Sequence, residues 1–357
     1  MESTFRDYRK VYRSLEDEES KDIYLKRLNF LISNDRVYAD KIVRVYLPEL
    51  GCGYWIEKLR TEVFTRKTVI YGAGLDGKVV MEYCRHYSHN HEIAGSCDRD
   101  RAKQESGCLG YPVMSPEALL KDKTLNVLIC SKKYEEDIQR FLFENGYPAD
   151  HIFNVYSLYS GREVKADPGQ YFSPDFINYE DDEVFVDAGC FDLGSSLQFK
   201  KYCPHVKKIY AFEPDPACYQ DCLKAKERSG LEEVEVFPYG LGSRQETMVF
   251  QATHNGSSTV SRTGNTTVSI VSLDEIIPQG ERVTMIKMDV EGAELEALEG
   301  AQKIIQRDKP KLAICIYHKL EDMTAIPLYI KQLVPEYKLY IRHHSNTEGE
   351  TVLYAVR

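Results

Sequence analysis

The chain has 357 residues, 43% of them hydrophobic and 29% charged, which is typical of a soluble globular protein with apolar residues for more than one core. Its formal net charge is −10 and no long run of Lys and Arg occurs, which argues against a nucleic-acid or anionic-membrane surface. No apolar stretch is long enough to span a bilayer, no signal peptide begins the chain, and the ten cysteines include no C-x-x-C pair, so we expect a cytoplasmic protein with reduced thiols.

Residues 1–65 are predicted to be helical. In "SKDIYLKRLNFLISN" the apolar residues recur at roughly helical spacing, with Lys and Arg between them. We interpret this part as a packing segment or a surface for homo-oligomer formation.

Residues 66–157 alternate strand-like and helix-like pieces, which predicts a parallel, Rossmann-like α/β domain. The predicted strands are "TVIYGAG", "EIAGSCD", "LNVLICS" and "HIFNV", and the predicted helices are "LDGKVVMEYCRHY" and "EEDIQRFLFENG". Residues 158–182 have no clear period and are predicted to be a linker or an entry segment.

A glycine motif follows the first of these strands. Gly72, Gly74 and Gly77 have the spacing G-x-G-x-x-G, and Asp98 follows 21 residues after Gly77, as in a dinucleotide-binding fingerprint. The unit has only about 90 residues, however, which is short of the two βαβαβ halves that a dinucleotide needs. With "GKVVMEYC", "CDRD" and "GYPVMSPEALL" it resembles the small nucleotide-sugar-binding domain of bacterial sugar acyltransferases. A nucleotide or nucleotide-sugar site, a scaffold without ligand and an NAD site all stay open.

Residues 183–357 are predicted to form a second α/β domain. Its strands "EVFVDAG", "KKIYAFEP", "EVEVFPYG", "TMIKMDV" and "KLAICIY" are near-continuous apolar runs, as expected of parallel strands buried on both faces. The last pieces, "YKLYIRHH" and "TVLYAVR", are joined by a short polar turn that permits only antiparallel pairing. Residues 251–267, rich in Ser, Thr and Gly, are predicted to be a surface loop.

The ends of the first two strands predict a nucleoside site. Ligands of parallel sheets bind beyond the carboxyl ends of the strands. Glu213 follows Gly194 by 19 residues, the distance at which a carboxylate can accept hydrogen bonds from ribose hydroxyls. The spacing D-x-G-x-x-D-x-G places two acidic residues beside the loop, which suits the cationic S-adenosylmethionine better than a pyrophosphate; Asp187 could face its ammonium group. The predicted loop positions are Asp187, Gly189, Cys190, Phe191, Asp192 and Gly194.

The stretches "VFVDAGCFDLGSS", "IYAFEPD", "VSLDEII" and "IKMDVEGAELEALEGA" together resemble the FkbM family of S-adenosylmethionine-dependent methyltransferases, over about residues 183–357. The resemblance implies a class I methyltransferase fold, with a seven-stranded, mostly parallel sheet and an antiparallel terminal hairpin. It also implies methyl transfer to a hydroxyl of a sugar or natural product, and Glu213 as the ribose ligand. Many relatives have Asn where this chain has Asp192, and often Ala where it has Gly240. Gly240 and Leu241 are expected near the adenine.

Acidic residues follow the fourth strand of this domain. Asp289 ends the strand, Glu291 lies two residues on, and His318 should lie alongside after the fifth strand. Glu294 falls in a first helical turn, where a carboxylate favours the helix dipole. The sequence therefore predicts Asp289, Glu291 and His318 as catalytic residues, with His318 favoured as the base because its reference pKa is near 6.5. A divalent metal held by these residues is the less favoured alternative.

We thus predict a methyltransferase that O-methylates a sugar hydroxyl of a glycan or a nucleotide-sugar-derived substrate. One alternative is an NAD-dependent sugar oxidoreductase that uses Gly72–Gly77 and Asp98, although the Y-x-x-x-K pair of short-chain dehydrogenases is missing. Another is a nucleotide-sugar-binding module with an inactive methyltransferase domain. The expected partners are a small-molecule or glycan substrate.

Overall fold

The computed structural model describes residues 5–34, 37–48, 59–86, 92–159, 167, 169–251, 259–260, 264, 266–347 and 349–357. The chain divides into two compact units, Met1–Ile32 with Ala166–Arg357, and Ser33–Lys165. No helix in the described ranges is both long and apolar enough to cross a membrane.

The first two helices, α1 (Phe5–Ser14) and α2 (Glu18–Ser33), are held against the end of the chain. Asp17 forms an ion pair with Arg342 at 2.6 Å, and the backbone N–H of Ile341 donates to Ser20 Oγ at 2.8 Å. These polar contacts explain why residues 1–32 fold with the C-terminal unit, whereas the sequence pattern grouped residues 1–65 as one helical segment.

The unit Ser33–Lys165 contains a five-stranded parallel sheet in the order β3-β2-β1-β4-β5. Four of its strands match the strands predicted from the sequence; β3, only two residues long, gave no periodic signal. The strands are β1 (Thr68–Tyr71), β2 (Ile93–Cys97), β3 (Val113–Met114), β4 (Asn126–Ile129) and β5 (Ile152–Asn154). The helices are α3 (Val37–Tyr46), α4 (Leu75–His86), α5 (Arg101–Ser106), α6 (Pro116–Leu119), α7 (Glu135–Glu144) and α8 (Val155–Tyr159).

The C-terminal unit is built on a seven-stranded sheet in the order β15-β16-β14-β13-β6-β7-β8. The predicted mixed α/β class is confirmed, because five strands run parallel and β16 pairs antiparallel with both β14 and β15. Every residue of β6, β13 and β16 is buried, as expected of strands covered on both faces. The strands are β6 (Val184–Ala188), β7 (Lys208–Phe212), β8 (Val234–Phe237), β13 (Met285–Met288), β14 (Lys311–Cys315), β15 (Lys338–His343) and β16 (Thr351–Val356).

A second, four-stranded sheet was not predicted from the sequence. Its order is β11-β10-β12-β9, with β9 parallel to β12 and the other pairs antiparallel. Its strands are β9 (Tyr239–Leu241), β10 (Glu246–Gln251), β11 (Thr259–Val260) and β12 (Thr266–Val271). Most of the polar loop predicted at residues 251–267 lies outside the described residues.

Besides α1 and α2, the described residues of the C-terminal unit form six α-helices. They are α9 (Gly194–Tyr202), α10 (Pro216–Ser229), α11 (Leu273–Ile276), α12 (Glu294–Glu299), α13 (Gln302–Asp308) and α14 (Asp322–Leu333). The nine cysteines in the described part of the chain are all buried free thiols.

Candidate active site

The loop after β6 and the turn after β13 touch at the carboxyl ends of the two strands. Gly189 has φ +73°, and a Cβ there would lie 1.9 Å from the backbone oxygen of Asp289. No other residue type fits this contact without backbone movement. The glycine therefore allows the predicted cofactor loop to approach the acidic residues.

Glu213, directly after β7, connects the loop that follows β6 to the turn that follows β7. Its Oε2 accepts from the backbone N–H of Phe191 at 3.0 Å, and its Oε1 accepts from that of Asp215 at 2.8 Å. Burial raises the pKa of Glu213 to about 7. Its side chain lines a cavity beside the loop.

Asp187, predicted to face the ammonium group of the cofactor, is fully buried under the loop. Its carboxylate accepts from the hydroxyls of Ser195 and Ser196 at 2.7 Å each, and Lys287 Nζ lies 3.3 Å from Oδ1. Burial opposes the charge of Lys287, but Asp187, Asp289 and other acidic neighbours together outweigh burial and raise the pKa of the amine. The buried cation thus occupies the place at Asp187 that the sequence argument reserved for the ligand, and Asp187 does not line the cavity.

Three other predicted loop residues, Cys190, Asp192 and Gly194, do not line the cavity either. Cys190 is buried in the core, with its sulfur 3.7 Å from that of Cys222. Asp192 is exposed, and its Oδ1 accepts from the backbone N–H of Gly194 at 2.8 Å. Of the predicted loop, only Gly189 and Phe191 line the cavity.

The cavity has a volume of about 710 Å³, within the usual range of small-molecule sites. It is lined by Glu213, Gly240 and Leu241, which the sequence predicts as cofactor positions, and by Asp289 and Glu291. The four-stranded sheet supplies residues that the sequence argument missed: Tyr239, Glu246, Met248, Phe250 and Ile270.

Burial alternates along β10, although Met248, Val249 and Phe250 are consecutive apolar residues and give no alternating pattern in the sequence. In β10, Thr247 and Val249 are exposed, whereas Met248 and Phe250 are covered, so the alternation has the period of a half-buried strand.

Asp289, Glu291 and Glu294 surround the imidazole of His318. Nε2 lies 3.6 Å from an oxygen of Asp289 and 3.6 Å from one of Glu291, and Nδ1 lies 3.1 Å from Oε1 of Glu294. Glu294, fully buried at the start of α12, also accepts from the backbone N–H of Val290 at 3.0 Å. The predicted catalytic residues are therefore neighbours, and Glu294, which the sequence assigned to the helix dipole, is part of the same cluster.

The cluster sets the charges of its members. Burial lowers the pKa of His318, but the carboxylates of Glu294, Asp289 and Glu291 outweigh burial and raise it to about 9. Burial raises the pKa of Glu291 to about 7, against the opposing effect of His318. At neutral pH the imidazole is hence a cation. It cannot accept a proton, which argues against the base role that the sequence suggested for it.

Two tyrosines orient Asp289. The hydroxyl of Tyr171 donates to Oδ2 at 2.9 Å and that of Tyr317 donates to Oδ1 at 3.3 Å. Tyr171 belongs to the region predicted as a linker, and no local sequence signal marks it. One ligand atom each of Asp289, Glu291 and His318 lie within 4.8 Å of one another, so these residues could hold a divalent cation.

In the unit Ser33–Lys165, the predicted nucleotide loop is tied together internally. A Cβ at Gly77 would lie 1.9 Å from the backbone oxygen of Gly72, so this glycine serves close packing; one at Gly74 would meet nothing within 4 Å. Asp98 accepts from the backbone N–H of Ala73 at 3.0 Å and from Lys103 Nζ at 2.9 Å. A nucleotide role for this loop stays a prediction.

Comparison with known families identified two matching regions. The family model of the methyltransferase FkbM domain matches residues 189–344, and a model described as C2185-like, N-terminal, matches residues 64–153. Hexuronic acid methyltransferase AglP of Haloferax volcanii is 32% identical over 134 residues, which are 36% of this chain and 53% of AglP. The similarity thus spans about half the length of that curated relative.

The fold also has a solved counterpart. Methyltransferase FkbM from Methylobacillus flagellatus KT is similar with a TM-score of 0.50 at 20% identity, and the alignment covers 91% of this chain and 99% of that one. At this identity the likeness concerns the fold alone.

Proposed function

We propose that the chain is an S-adenosylmethionine-dependent O-methyltransferase acting on a sugar hydroxyl, a proposal supported by the match of residues 189–344 to the model of the methyltransferase FkbM domain. The observation that carries the proposal is the cavity, which joins a glycine loop and Glu213 to the cluster around His318.

Residues on the loop side of the cavity suit a nucleoside. Glu213 can accept hydrogen bonds from the ribose hydroxyls, and Gly189 leaves room for backbone to approach the ligand. The adenine would be covered by Leu241 and Phe250 from the four-stranded sheet. When bound, S-adenosylmethionine supplies an electrophilic methyl group on a sulfonium.

Glu291 is the base that removes the acceptor proton in this proposal. A general base works best when its pKa lies near the operating pH, and that of Glu291 is raised to about 7. His318, as a cation, neutralises part of the charge of Asp289 and Glu294 and holds both beside Glu291. The predicted catalytic set is kept, but the base role moves from His318 to Glu291.

The charge of the cavity favours an uncharged acceptor. Asp289, Glu291, Glu296 and Glu350 line it, with Lys319 as a basic neighbour. Two like charges at 4 Å repel by about 4 kcal/mol at an effective dielectric constant near 20. AglP is named for hexuronic acid, which supports a sugar as the class of acceptor, while the acidic lining favours a neutral sugar.

The test uses S-adenosylmethionine labelled in its methyl group. Methyl glycosides of glucose, mannose and galactose are compared with that of glucuronic acid and with the corresponding UDP-sugars. We expect a labelled neutral sugar whose methyl group survives mild alkali, because an ether resists hydrolysis and a methyl ester does not. Label found only as an alkali-labile ester would contradict O-methylation of a hydroxyl, and absence of transfer to every sugar would contradict the sugar acceptor.

A further inference from the structure

Two adjacent residues upstream of β6 donate hydrogen bonds to carboxylates that line the cavity. The hydroxyl of Tyr171 donates to Oδ2 of Asp289 at 2.9 Å, and Nε2 of Gln170 donates to Oε2 of Glu350 at 2.7 Å. Both donors are only 8% exposed. They precede residues 189–344, so they lie outside the matched methyltransferase domain.

The segment that carries these donors is anchored in the core. The ring of Phe172 lies 5.5 Å from that of Phe185 and 5.2 Å from that of Phe199, measured between centroids. The backbone oxygen of Gln170 accepts from the hydroxyl of Tyr354 in β16. Because the sheet core holds this backbone, the two donors are positioned before any ligand binds.

The hydroxyl of Tyr171 stays protonated and so remains a hydrogen-bond donor to Asp289. Burial raises its pKa well above the ordinary value, so the phenol keeps its proton at neutral pH. Tyr317 donates to the other oxygen of Asp289, which lies 3.6 Å from Nε2 of His318. The hydroxyls of Tyr171 and Tyr317 therefore fix the orientation of the Asp289 carboxylate beside the imidazolium of His318.

Tyr171 also contacts Lys287, whose ammonium group binds the backbone of the loop after β6. The ammonium group of Lys287 lies 5.2 Å from the centroid of its ring, and the same group donates to the backbone oxygen of Gly189 at 2.6 Å. The side chain of Tyr171 thus contacts both Lys287 and Asp289 of the acidic cluster.

We propose that Tyr171 and Gln170 are positioning residues for methyl transfer. Tyr171 acts through Asp289, whose carboxylate it orients toward His318, and Gln170 acts through Glu350, which it holds at the acceptor side of the cavity. Neither residue contacts the transferred methyl group. This inference rests on the proposed function.

The test compares two tyrosines of the same segment. Tyr171→Phe removes the hydroxyl that binds Asp289, whereas the control Tyr179→Phe removes one that donates to the backbone oxygen of Phe172 at 2.8 Å. Turnover is measured with the methyl glycoside that the parent methylates best. We expect kcat to fall at least tenfold in Tyr171→Phe, with the Kd of S-adenosylmethionine within threefold of the parent, and Tyr179→Phe to keep kcat within twofold.

A pH profile separates positioning from general stability. A positioning role lowers kcat of Tyr171→Phe by a similar factor across the pH range, while the acidic limb, which Glu291 sets, keeps the midpoint of the parent. A lowered melting temperature with parental kcat at every pH would overturn the inference.

Gln170→Met supplies a second comparison if Tyr171→Phe does not fold. We expect the KM for the glycoside to rise at least threefold with kcat changed less, because Glu350 loses its donor. Parental KM and kcat in this variant would overturn the inference while leaving the proposed function intact. A parent that transfers no methyl group to any sugar would overturn both.

Discussion

Nδ1 of His318 lies 3.1 Å from Oε1 of Glu294, a carboxylate that is fully buried. This contact, together with Asp289 and Glu291 at Nε2, makes the histidine a cation rather than a base at neutral pH. The reference pKa of histidine would leave His318 largely neutral at this pH, which is why residue type alone suggested a base. The three carboxylates around the imidazole remove that role.

The methyl-transfer rate should follow a bell-shaped pH profile. The rate rises as pH increases through about 7, because Glu291 accepts a proton only when ionised. It falls above about 9, because His318 then loses the charge that balances its carboxylate neighbours, Glu294 and Asp289 among them. The measurement is kcat at saturating substrates from about pH 5.5 to about pH 10, which extends about 1.5 units below the lower of these values and about one unit above the higher.

His318→Gln provides the control for this profile. Removal of the cation raises the proton affinity of Glu291, so the acidic limb should move to higher pH while the basic limb disappears. If both limbs are unchanged in His318→Gln, groups other than Glu291 and His318 set the pH dependence.

Glu213→Ala should weaken the binding of S-adenosylmethionine at least tenfold. Hydrogen bonds to a charged group contribute about 1.5–3 kcal/mol, and tenfold in Kd corresponds to about 1.4 kcal/mol. Isothermal titration gives the Kd directly. Glu235→Ala on β8 is the matched control, because Glu235 pairs with Lys208 at 2.8 Å and does not line the cavity. Equal affinity in a folded Glu213→Ala protein and in this control would exclude Glu213 as the ribose ligand.

Asp289→Asn should lower kcat by roughly 10²-fold or more, with the Kd of the cofactor changed little, because the charge beside His318 is lost and the shape is kept. Asp221→Asn, which changes an exposed helix residue paired with Lys224, should leave kcat at the parental value. Parental turnover in Asp289→Asn would remove Asp289 from the catalytic set.

Chelation with EDTA decides between base catalysis and a metal ion. We expect full activity in EDTA, since we assign proton removal to Glu291. If activity is lost and then returns with Mg²⁺ or Mn²⁺, a cation bound by Asp289, Glu291 and His318 replaces the metal-free mechanism.

Lys287→Met should destabilise the protein by about 3–5 kcal/mol, because it leaves the Asp187 carboxylate buried without its cation. The double variant Lys287→Met/Asp187→Leu should recover part of this loss. Lys208→Met, which breaks the half-exposed pair with Glu235, should cost at most about 1 kcal/mol. Urea unfolding gives the three free energies; equal losses at the two lysines would contradict a structural ion pair under the loop.

The strands of the C-terminal unit could be predicted because they follow simple patterns. The apolar runs around Val184 and Met285 became parallel neighbours in the sheet, and the short turn before Thr351 allowed only the antiparallel pairing that β15 and β16 adopt. The four-stranded sheet was missed because β9 has three residues and β11 only two, too few to establish a period.

The sequence by itself determined the class of fold and the residues at which the strands end, since apolar periodicity and turn length are local properties. Tertiary structure decided which polar groups meet: Lys287 pairs with the buried Asp187 under the loop, and Tyr171 reaches Asp289 across 118 residues of chain. It also decided the charges of Glu291 and His318, because the energy of an ionised group depends on its burial and on its distance from other charges, and neither can be read from residue order.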